Sequence, residues 1–149
     1  MNDPAWKKVE RKVARYLSPR AGRRTPLSGR NSGHGTSADV LLPRSLPLYV
    51  EVKHGKRAEA ILRSRTLLLR LFEDTEQKAL GEGKVPVVVL HPPRWGNGGV
   101  ATYPAWVRHE VCRPSAAIGT EDHPALLLPL DAVVCVPLSE LKRATVEGR

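Results

Sequence analysis

Three residues suited to hydrolytic chemistry lie on two neighbouring apolar segments. Asp39 lies in residues 38–42, and Glu51 and Lys53 lie in residues 48–53. Successive side chains of a β-strand alternate between its two faces, so Glu51 and Lys53 would share one face. Burying such charges together is costly unless they pair with each other, bind a metal or take part in a reaction. The spacing therefore indicates a candidate functional site.

The chemistry that these residues predict is metal-dependent cleavage of a phosphodiester. That reaction needs an activated water, charge relief at phosphorus and help for the leaving oxygen, and Mg²⁺ held by a few carboxylates supplies much of this. Asp39 and Glu51 are a suitable pair, and Glu10 would complete the metal shell. Lys53 would position or deprotonate the water and stabilise the developing negative charge. The alternative is a surface hairpin on which Glu51 and Lys53 form an ion pair.

The first element that must position these residues is an amphipathic helix. Asp3 and Pro4 are typical of a helix N-terminus, and Ser18 and Pro19 predict its end. Glu10 lies at the edge of the apolar stripe and is predicted to point partly inward. It belongs either to the site or to a rim ion pair with a neighbouring lysine or arginine. The apolar stripe comprises Trp6, Val9, Val13, Tyr16 and Leu17.

The next elements are a polar loop and a predicted hairpin. Residues 28–37 contain three glycines and one histidine, His34. They predict a loop that a ligand orders, with phosphate contacts from its hydroxyls and backbone N–H groups, or else a plain surface loop. Residues 38–42 and 48–53 are separated by a short turn and are expected to pair. That pairing would bring Asp39 close to Glu51.

Residues 58–80 predict a helix with an interruption near residues 64–66. Residues 85–90 are fully apolar and predict a central strand, and a helix between two such strands favours their parallel pairing. Leu67 and Leu71 lie away from the main apolar face and would form a subunit contact or pack under the C-terminal segment. That main face comprises Ile61, Leu62, Leu68, Leu69, Phe72, Ala79 and Leu80.

The C-terminal third of the chain has a weaker pattern. Residues 100–111 alternate weakly and predict an edge strand or an irregular segment. Residues 126–137 contain an apolar strand, and residues 138–144 predict a short closing helix capped by Ser139. The whole order of elements predicts a mixed α/β domain.

The composition indicates a polyanionic partner. The 149 residues carry a formal net charge of +9, which favours binding to nucleic acid, although an inert basic surface is the alternative. No apolar run approaches the length of a membrane span, and the N-terminus lacks a signal-peptide pattern, so we expect a soluble, cytoplasmic protein. Cys112 and Cys135 lack metal-site spacing and are expected to be reduced structural thiols.

Taken together, these motifs resemble the PD-(D/E)xK nuclease superfamily, and within it the archaeal-type Holliday-junction resolvases and their phage-borne relatives. That family has a helix glutamate, an R-x-P-x-S-G segment, an aspartate opening a strand, and E-V-K. The corresponding positions are Glu10, residues 24–29 (RTPLSG), residues 37–40 (SADV) and residues 51–53 (EVK). The resemblance covers roughly residues 5–57, is weaker over the helix and the apolar strand that follow, and is absent from about residue 99 onward. Ala38 stands where the superfamily's name has proline, a departure that the family tolerates.

The resemblance implies a restriction-endonuclease-like mixed central β-sheet flanked by helices. It implies one nuclease domain over residues 1–149, with a catalytic core at about residues 3–92. Residues 99–149 would complete the sheet or make dimer or DNA contacts. A prokaryotic cell or a phage-infected host is the expected setting.

The resemblance also implies roles for particular residues. The metal ligands would be Glu10, Asp39, Glu51 and the backbone carbonyl of Val52, holding Mg²⁺ or, in its place, Mn²⁺. Lys53 would serve the attacking water, and Ser28 would contact the scissile phosphate or order the loop. The expected DNA-binding residues are Lys7, Lys8, Arg11, Arg24, Ser28, Arg30, Lys56 and Arg57.

The sequence thus predicts a Mg²⁺-dependent endonuclease that resolves four-way DNA junctions as a homodimer, because such a junction needs two symmetric cuts. The alternatives are a related nuclease acting on flaps, DNA ends or specific duplex sites, and a non-enzymatic basic DNA-binding module. Trp95, Tyr103 and Trp106 would stack on unpaired bases or belong to the core. His34 and His54 would contact phosphate or transfer protons, and His54 is expected to be a bystander because it lies on the opposite strand face from Lys53.

Overall fold

The structure, a computed structural model, describes residues 5–24, 38–93, 99–112 and 133–147. These residues form helices and strands, with short 3₁₀ and π-helical turns at Val100–Thr102 and Arg143–Glu147. The elements are α1 (Ala5–Leu17), β1 (Arg23–Arg24), β2 (Val40–Leu41), β3 (Leu48–His54), α2 (Gly55–Leu62), α3 (Arg65–Gly81), β4 (Val85–His91), β5 (Pro104–Arg108), β6 (Val133–Pro137) and α4 (Leu138–Lys142).

The central feature is a mixed sheet with the strand order β3-β4-β5-β6. Strands β3 and β4 are parallel, in a register that runs from Leu48 opposite Val85 to His54 opposite His91. The remaining pairs are antiparallel. The predicted parallel crossover is confirmed, and so is the interruption of the helix, because Ser64 caps α3 by accepting a hydrogen bond from the Leu67 N–H at 3.2 Å.

Helices cover both faces of the sheet. Successive side chains of β3 and β4 point to opposite faces, so each strand contributes apolar residues to both helical layers. Val87 and Val89 of β4 pack on the side of α1 and α4, whereas Val88 and Leu90 pack against α2 and α3. The fold is therefore a mixed α/β arrangement with a four-stranded sheet flanked by helices on both faces.

The predicted hairpin is wrong in its strand pairing. Strand β2 pairs with β1, with Arg24 opposite Val40, and the two form a separate antiparallel pair. Pro43 and Pro47 flank the turn before β3 and cannot donate to a ladder, which limits pairing between β2 and β3. A backbone hydrogen bond from the Asp39 N–H to the Val50 carbonyl, at 3.2 Å, still joins the two segments.

Three further expectations need correction. Strand β5 is an interior strand between β4 and β6, because its side chains are apolar on both faces. Pro137, with no side-chain cap, precedes α4 in place of Ser139. Leu80 is 69% exposed because the buried face of α3 ends at Ala79. Leu71 packs against the α2–α3 cluster within the chain, and Leu67 is exposed.

Both cysteines are free, as expected. None of the helices in the described part of the chain is long and apolar enough to cross a membrane.

Candidate functional site

Asp39 occupies the open edge of the sheet beside β3. Its Oδ2 accepts a hydrogen bond from the Val52 N–H at 2.9 Å, and its own N–H donates to the Val50 carbonyl. The carboxylate therefore takes the place that a neighbouring strand's carbonyl would fill. In an extended strand the N–H and C=O of one residue point to the same side, so the Val52 carbonyl also points toward this edge.

Glu51 and Lys53 share one face of β3, as the alternation predicted. In the parallel register Glu51 lies opposite Val88 and Lys53 opposite Leu90, both of which pack toward α2 and α3. The Lys53 Nζ lies 3.3 Å from the Glu51 Oε1, and both side chains are mostly buried. The lysine is thus held beside the carboxylate at a strand edge that Asp39 also occupies.

Glu10 approaches the site from α1, which packs on the opposite face of the sheet. It is buried, at 5% exposure, so the prediction that it points inward is confirmed. It also forms the ion pair that was the alternative, because Arg24 Nε donates to its Oε2 at 2.9 Å. Glu10 therefore points inward and forms an ion pair with Arg24 at the same time.

Gly22 makes the pair between Glu10 and Arg24 possible. A side chain at position 22 would collide with the backbone carbonyls of Ala14 and Ser18. The absence of a Cβ lets the chain reverse closely against the end of α1, where the Gly22 N–H donates to the Ser18 carbonyl at 2.7 Å. This reversal returns Arg24 along α1 toward Glu10.

The three carboxylates repel one another. Burial raises the pKa of Glu10 to about 7, with a further increase from the negative charge of Asp39, opposed by Arg24. Burial and then the charge of Glu51 raise the pKa of Asp39 to about 6, opposed by the hydrogen bond from Val52. A cation placed among these groups would relieve both desolvation and repulsion. The electrostatics thus favour a positively charged ligand.

The donor chemistry of the site suits Mg²⁺. In the described ranges no set of three or more histidine, cysteine, aspartate and glutamate side chains is grouped so as to hold a metal ion. Mg²⁺ does not require such a set, because one or two carboxylates with waters and substrate phosphate oxygens usually suffice. Asp39, Glu51 and the Val52 carbonyl are hard oxygen donors at one strand edge. These residues therefore fit the ion that the sequence predicted.

The other predicted site residues fall into three groups. Ser28, Arg30, His34 and Trp95 lie outside the described residues. Lys8, Lys56 and Arg57 are exposed, Lys7 and Arg11 are half-buried, and Arg24 is engaged with Glu10. Tyr103 and Trp106 are buried in the core, at 4% and 2% exposure, which excludes them as stacking surfaces in this fold.

The position of Trp6 differs from the one that the sequence predicts. It was assigned to the apolar stripe of α1, yet it is 39% exposed and packs against two cations, Lys7 and Arg24. Its position four residues before Glu10 places both on one side of the helix but does not reveal that Trp6 lies beyond the packed core.

His54 and His91 form a second unpredicted contact. Their Nδ1 atoms are 2.9 Å apart, their rings stack at 5.0 Å between centroids, and the His91 ring also contacts Tyr103 at 4.5 Å. His54 faces away from Lys53, as expected. The pairing follows from the register of β3 and β4, which cannot be read from the sequence.

We expect replacement of His91 by asparagine to flatten the decline in stability at acid pH. Burial, His54 and Lys12 lower the pKa of His91 to about 4, below the 6.5 of an unperturbed histidine. The neutral ring therefore stabilises the fold fully above pH 6.5, and that contribution is lost as pH falls toward 4. Its size is about 1–3 kcal/mol.

The measurement is the free energy of unfolding by urea at intervals between pH 4 and 8. The difference in unfolding free energy between wild type and variant isolates the contribution of His91. The carboxylates with raised pKa values, Glu10 and Asp39, change the stability in the opposite direction over this pH range. His109→Asn, at an exposed histidine, is the matched control for the loss of an imidazole from the surface. Parallel pH profiles for wild type and His91→Asn would contradict the assignment.

No protein-family model, curated protein sequence or solved structure matches this chain. The residues themselves define a class of site: mutually repelling carboxylates beside a lysine, at the open edge of a mixed sheet, in a chain of net charge +9.

Proposed function

We propose that this protein is a Mg²⁺-dependent, structure-specific endodeoxyribonuclease that resolves four-way DNA junctions by two symmetric cuts. The observation that carries the proposal is the pair of repelling carboxylates, Asp39 and Glu51, held beside Lys53 at the edge of β3. A pure DNA-binding surface gains nothing from buried carboxylates facing phosphate, whereas a hydrolytic site needs them to hold a cation.

The metal-binding residues would be Asp39, Glu51 and the Val52 carbonyl, with Glu10 assisting through its charge and not as a third carboxylate ligand. Bound there, Mg²⁺ supplies charge neutralisation at the scissile phosphate and acidifies water. Glu51 would give up its ion pair with Lys53 when it binds the cation. Lys53 would then be available to the attacking water and to the charge that develops on phosphorus.

The reaction is a hydrolysis with in-line displacement at phosphorus. The water oxygen forms the new bond to phosphorus as the bond to the 3′ oxygen breaks. The water's proton passes to a base at the site, and a proton is delivered to the leaving oxygen. The products are a 5′-phosphate and a 3′-hydroxyl, as the resemblance to the junction resolvases implies.

Two features of the chain agree with a DNA substrate. The net charge of +9 favours a polyanion, and Lys8, Lys56 and Arg57 are exposed on α1 and α2, the helices on either face of the sheet at β3. A mixed sheet with α1 on one face and α2 and α3 on the other also agrees with a restriction-endonuclease-like fold. Two symmetric cuts would require a homodimer, because the described residues of one chain form one such site.

The decisive test is cleavage of synthetic DNA by the purified protein. A four-way junction, a flap, a linear duplex and a single strand are each incubated with Mg²⁺, with Mn²⁺ and with EDTA. We expect paired, symmetric nicks in the junction with either metal ion and no product in EDTA. An intact junction at low and moderate salt would contradict the proposal. If linear duplex is cut as fast as the junction or faster, the protein is a related nuclease with a different substrate.

A second candidate is a non-enzymatic DNA-binding module in which the acidic residues form structural ion pairs. The pairs of Glu10 with Arg24 and of Glu51 with Lys53 favour it. It predicts salt-sensitive binding that Mg²⁺ does not affect, and no cleavage after long incubation.

A further inference from the structure

Trp6 is a large aromatic residue at the surface of α1. Its side chain is 39% exposed, whereas Val9, Val13 and Leu17 of the same helix are buried. Most tryptophans in a small domain lie in the core, because burying the indole removes a large apolar area from water. An indole left open at a surface is therefore a candidate contact for a ligand.

The surroundings of Trp6 are cationic. The Arg24 guanidinium lies 5.1 Å and the Lys7 ammonium 5.4 Å from the centre of the ring, both within the range of cation–π attraction. Both cations lie over the ring, so a base that stacks on the indole would displace one of them, most readily Lys7, because Arg24 is also held by Glu10. An aromatic face combined with positive charge is the arrangement that binds single-stranded nucleic acid.

Trp6 is also joined to the candidate site. It precedes Glu10 by one helical turn, so the two residues lie on one side of α1. Arg24 contacts both, since its Nε binds Glu10 while its guanidinium packs on the Trp6 ring. One arginine therefore connects the exposed indole to a carboxylate of the site.

We propose that Trp6 is a stacking site for an unpaired nucleobase close to the phosphate that is cut, with Lys7 and Arg24 providing positive charge for the adjoining backbone. The inference rests on the proposed function and deepens it, because it names what the site recognises. A base within a duplex has both faces covered by its neighbours, whereas a base at a branch or in a single strand offers a free face. Trp6 therefore favours branched or single-stranded DNA over continuous duplex.

The experiment measures DNA binding in EDTA, so that its result does not depend on cleavage. Wild type, Trp6→Ala and Trp6→Phe are titrated with oligo(dT), a four-way junction and a linear duplex of equal length. Loss of one base–aromatic stack should weaken binding to oligo(dT) about 5- to 100-fold in Trp6→Ala. Duplex binding should change less than about twofold, and phenylalanine should restore most of the affinity because it retains an aromatic face.

Tryptophan fluorescence gives an independent readout. Stacking on a base should quench the wild-type emission on adding oligo(dT), and the quenching should disappear in Trp6→Phe. Leu67→Ala, at an exposed apolar residue of α3 on the other face of the sheet, is the matched control and should bind all three DNAs as wild type does.

Three outcomes would overturn the proposal. They are unchanged oligo(dT) affinity in Trp6→Ala, equal losses on oligo(dT) and duplex, and a change in sedimentation without a change in DNA affinity. The last would identify Trp6 as a contact between copies of the chain. If selectivity for unpaired bases persists in a protein that cleaves nothing, the nuclease proposal fails and the stacking site stands.

Discussion

Replacing Lys53 by methionine is expected to slow DNA cleavage by a factor of about 10²–10⁴ while leaving DNA binding nearly unchanged. Methionine keeps most of the apolar stem and removes the ammonium group. The ammonium lies 3.3 Å from Glu51 at the edge of β3, where it can serve the attacking water and the developing charge. The loss should therefore appear in the rate of the chemical step.

The measurement is the single-turnover rate on the four-way junction with saturating Mg²⁺, beside affinity measured in EDTA. The chain offers a closely matched control, Lys84→Met. Lys84 follows Glu82 by two residues and lies 3.1 Å from it, with similar burial, but at the connection between α3 and β4. Lys84→Met should cut at the wild-type rate. A Lys53→Met protein that cuts as fast as wild type would remove the lysine from the mechanism.

Replacing Asp39 by asparagine is expected to abolish cleavage and, at pH 8 without metal, to stabilise the protein by about 1–3 kcal/mol. The pKa of Asp39 is raised to about 6, so the folded state favours the protonated form more than the unfolded state does. That contribution is present at acid pH and is lost as pH rises through 6. Asparagine retains an oxygen for the Val52 N–H and carries no charge.

Metal should cancel or reverse the stability difference between the variant and the wild type. Mg²⁺ at about 100 times its Kd would stabilise the wild type by about 2.7 kcal/mol, and the variant would show little response because it lacks the charge that attracts the ion. Urea unfolding at pH 8 and pH 5.5, with EDTA and with Mg²⁺, measures both effects. At pH 5.5 the folded carboxyl is largely protonated while that of the unfolded chain is still ionised, so the advantage of the variant should shrink only in part there.

Asp74→Asn is the control, because Asp74 is an exposed aspartate on α3. It should alter neither cleavage nor the response to Mg²⁺. An Asp39→Asn protein that is less stable than wild type in EDTA at pH 8, or that responds fully to Mg²⁺, would show that Asp39 has a structural role in place of a metal-binding one.

Local periodicity was sufficient to predict much of the candidate site. Strand alternation placed Glu51 and Lys53 on one face, and the angle of Glu10 on α1 placed it inward. The central parallel strand was also predictable, because residues 85–90 are apolar on both faces and follow a helix. These features depend on neighbours in the sequence or on a burial pattern that the residue types themselves display.

Other features depend on contacts between distant segments and could not be predicted. Asp39 was expected near Glu51 through a hairpin, yet it reaches β3 by a side-chain hydrogen bond while β2 pairs with β1. The contact between His54 and His91 depends on the register between β3 and β4, two strands that are separated in the sequence by two helices. The exposure of Trp6 depends on how far α1 extends past the packed core, and an apolar stripe alone does not show where packing ends.

Gly22 bears on which positions of this chain will be sensitive to mutation. It carries no functional group and contacts none of the carboxylates, yet any side chain there would push the chain away from the end of α1. Arg24 would then leave both Glu10 and Trp6, which would expose one carboxylate and free the indole at once. A saturation screen scored by activity should therefore rank a glycine alongside the charged residues, and a stability screen alone would not reveal why.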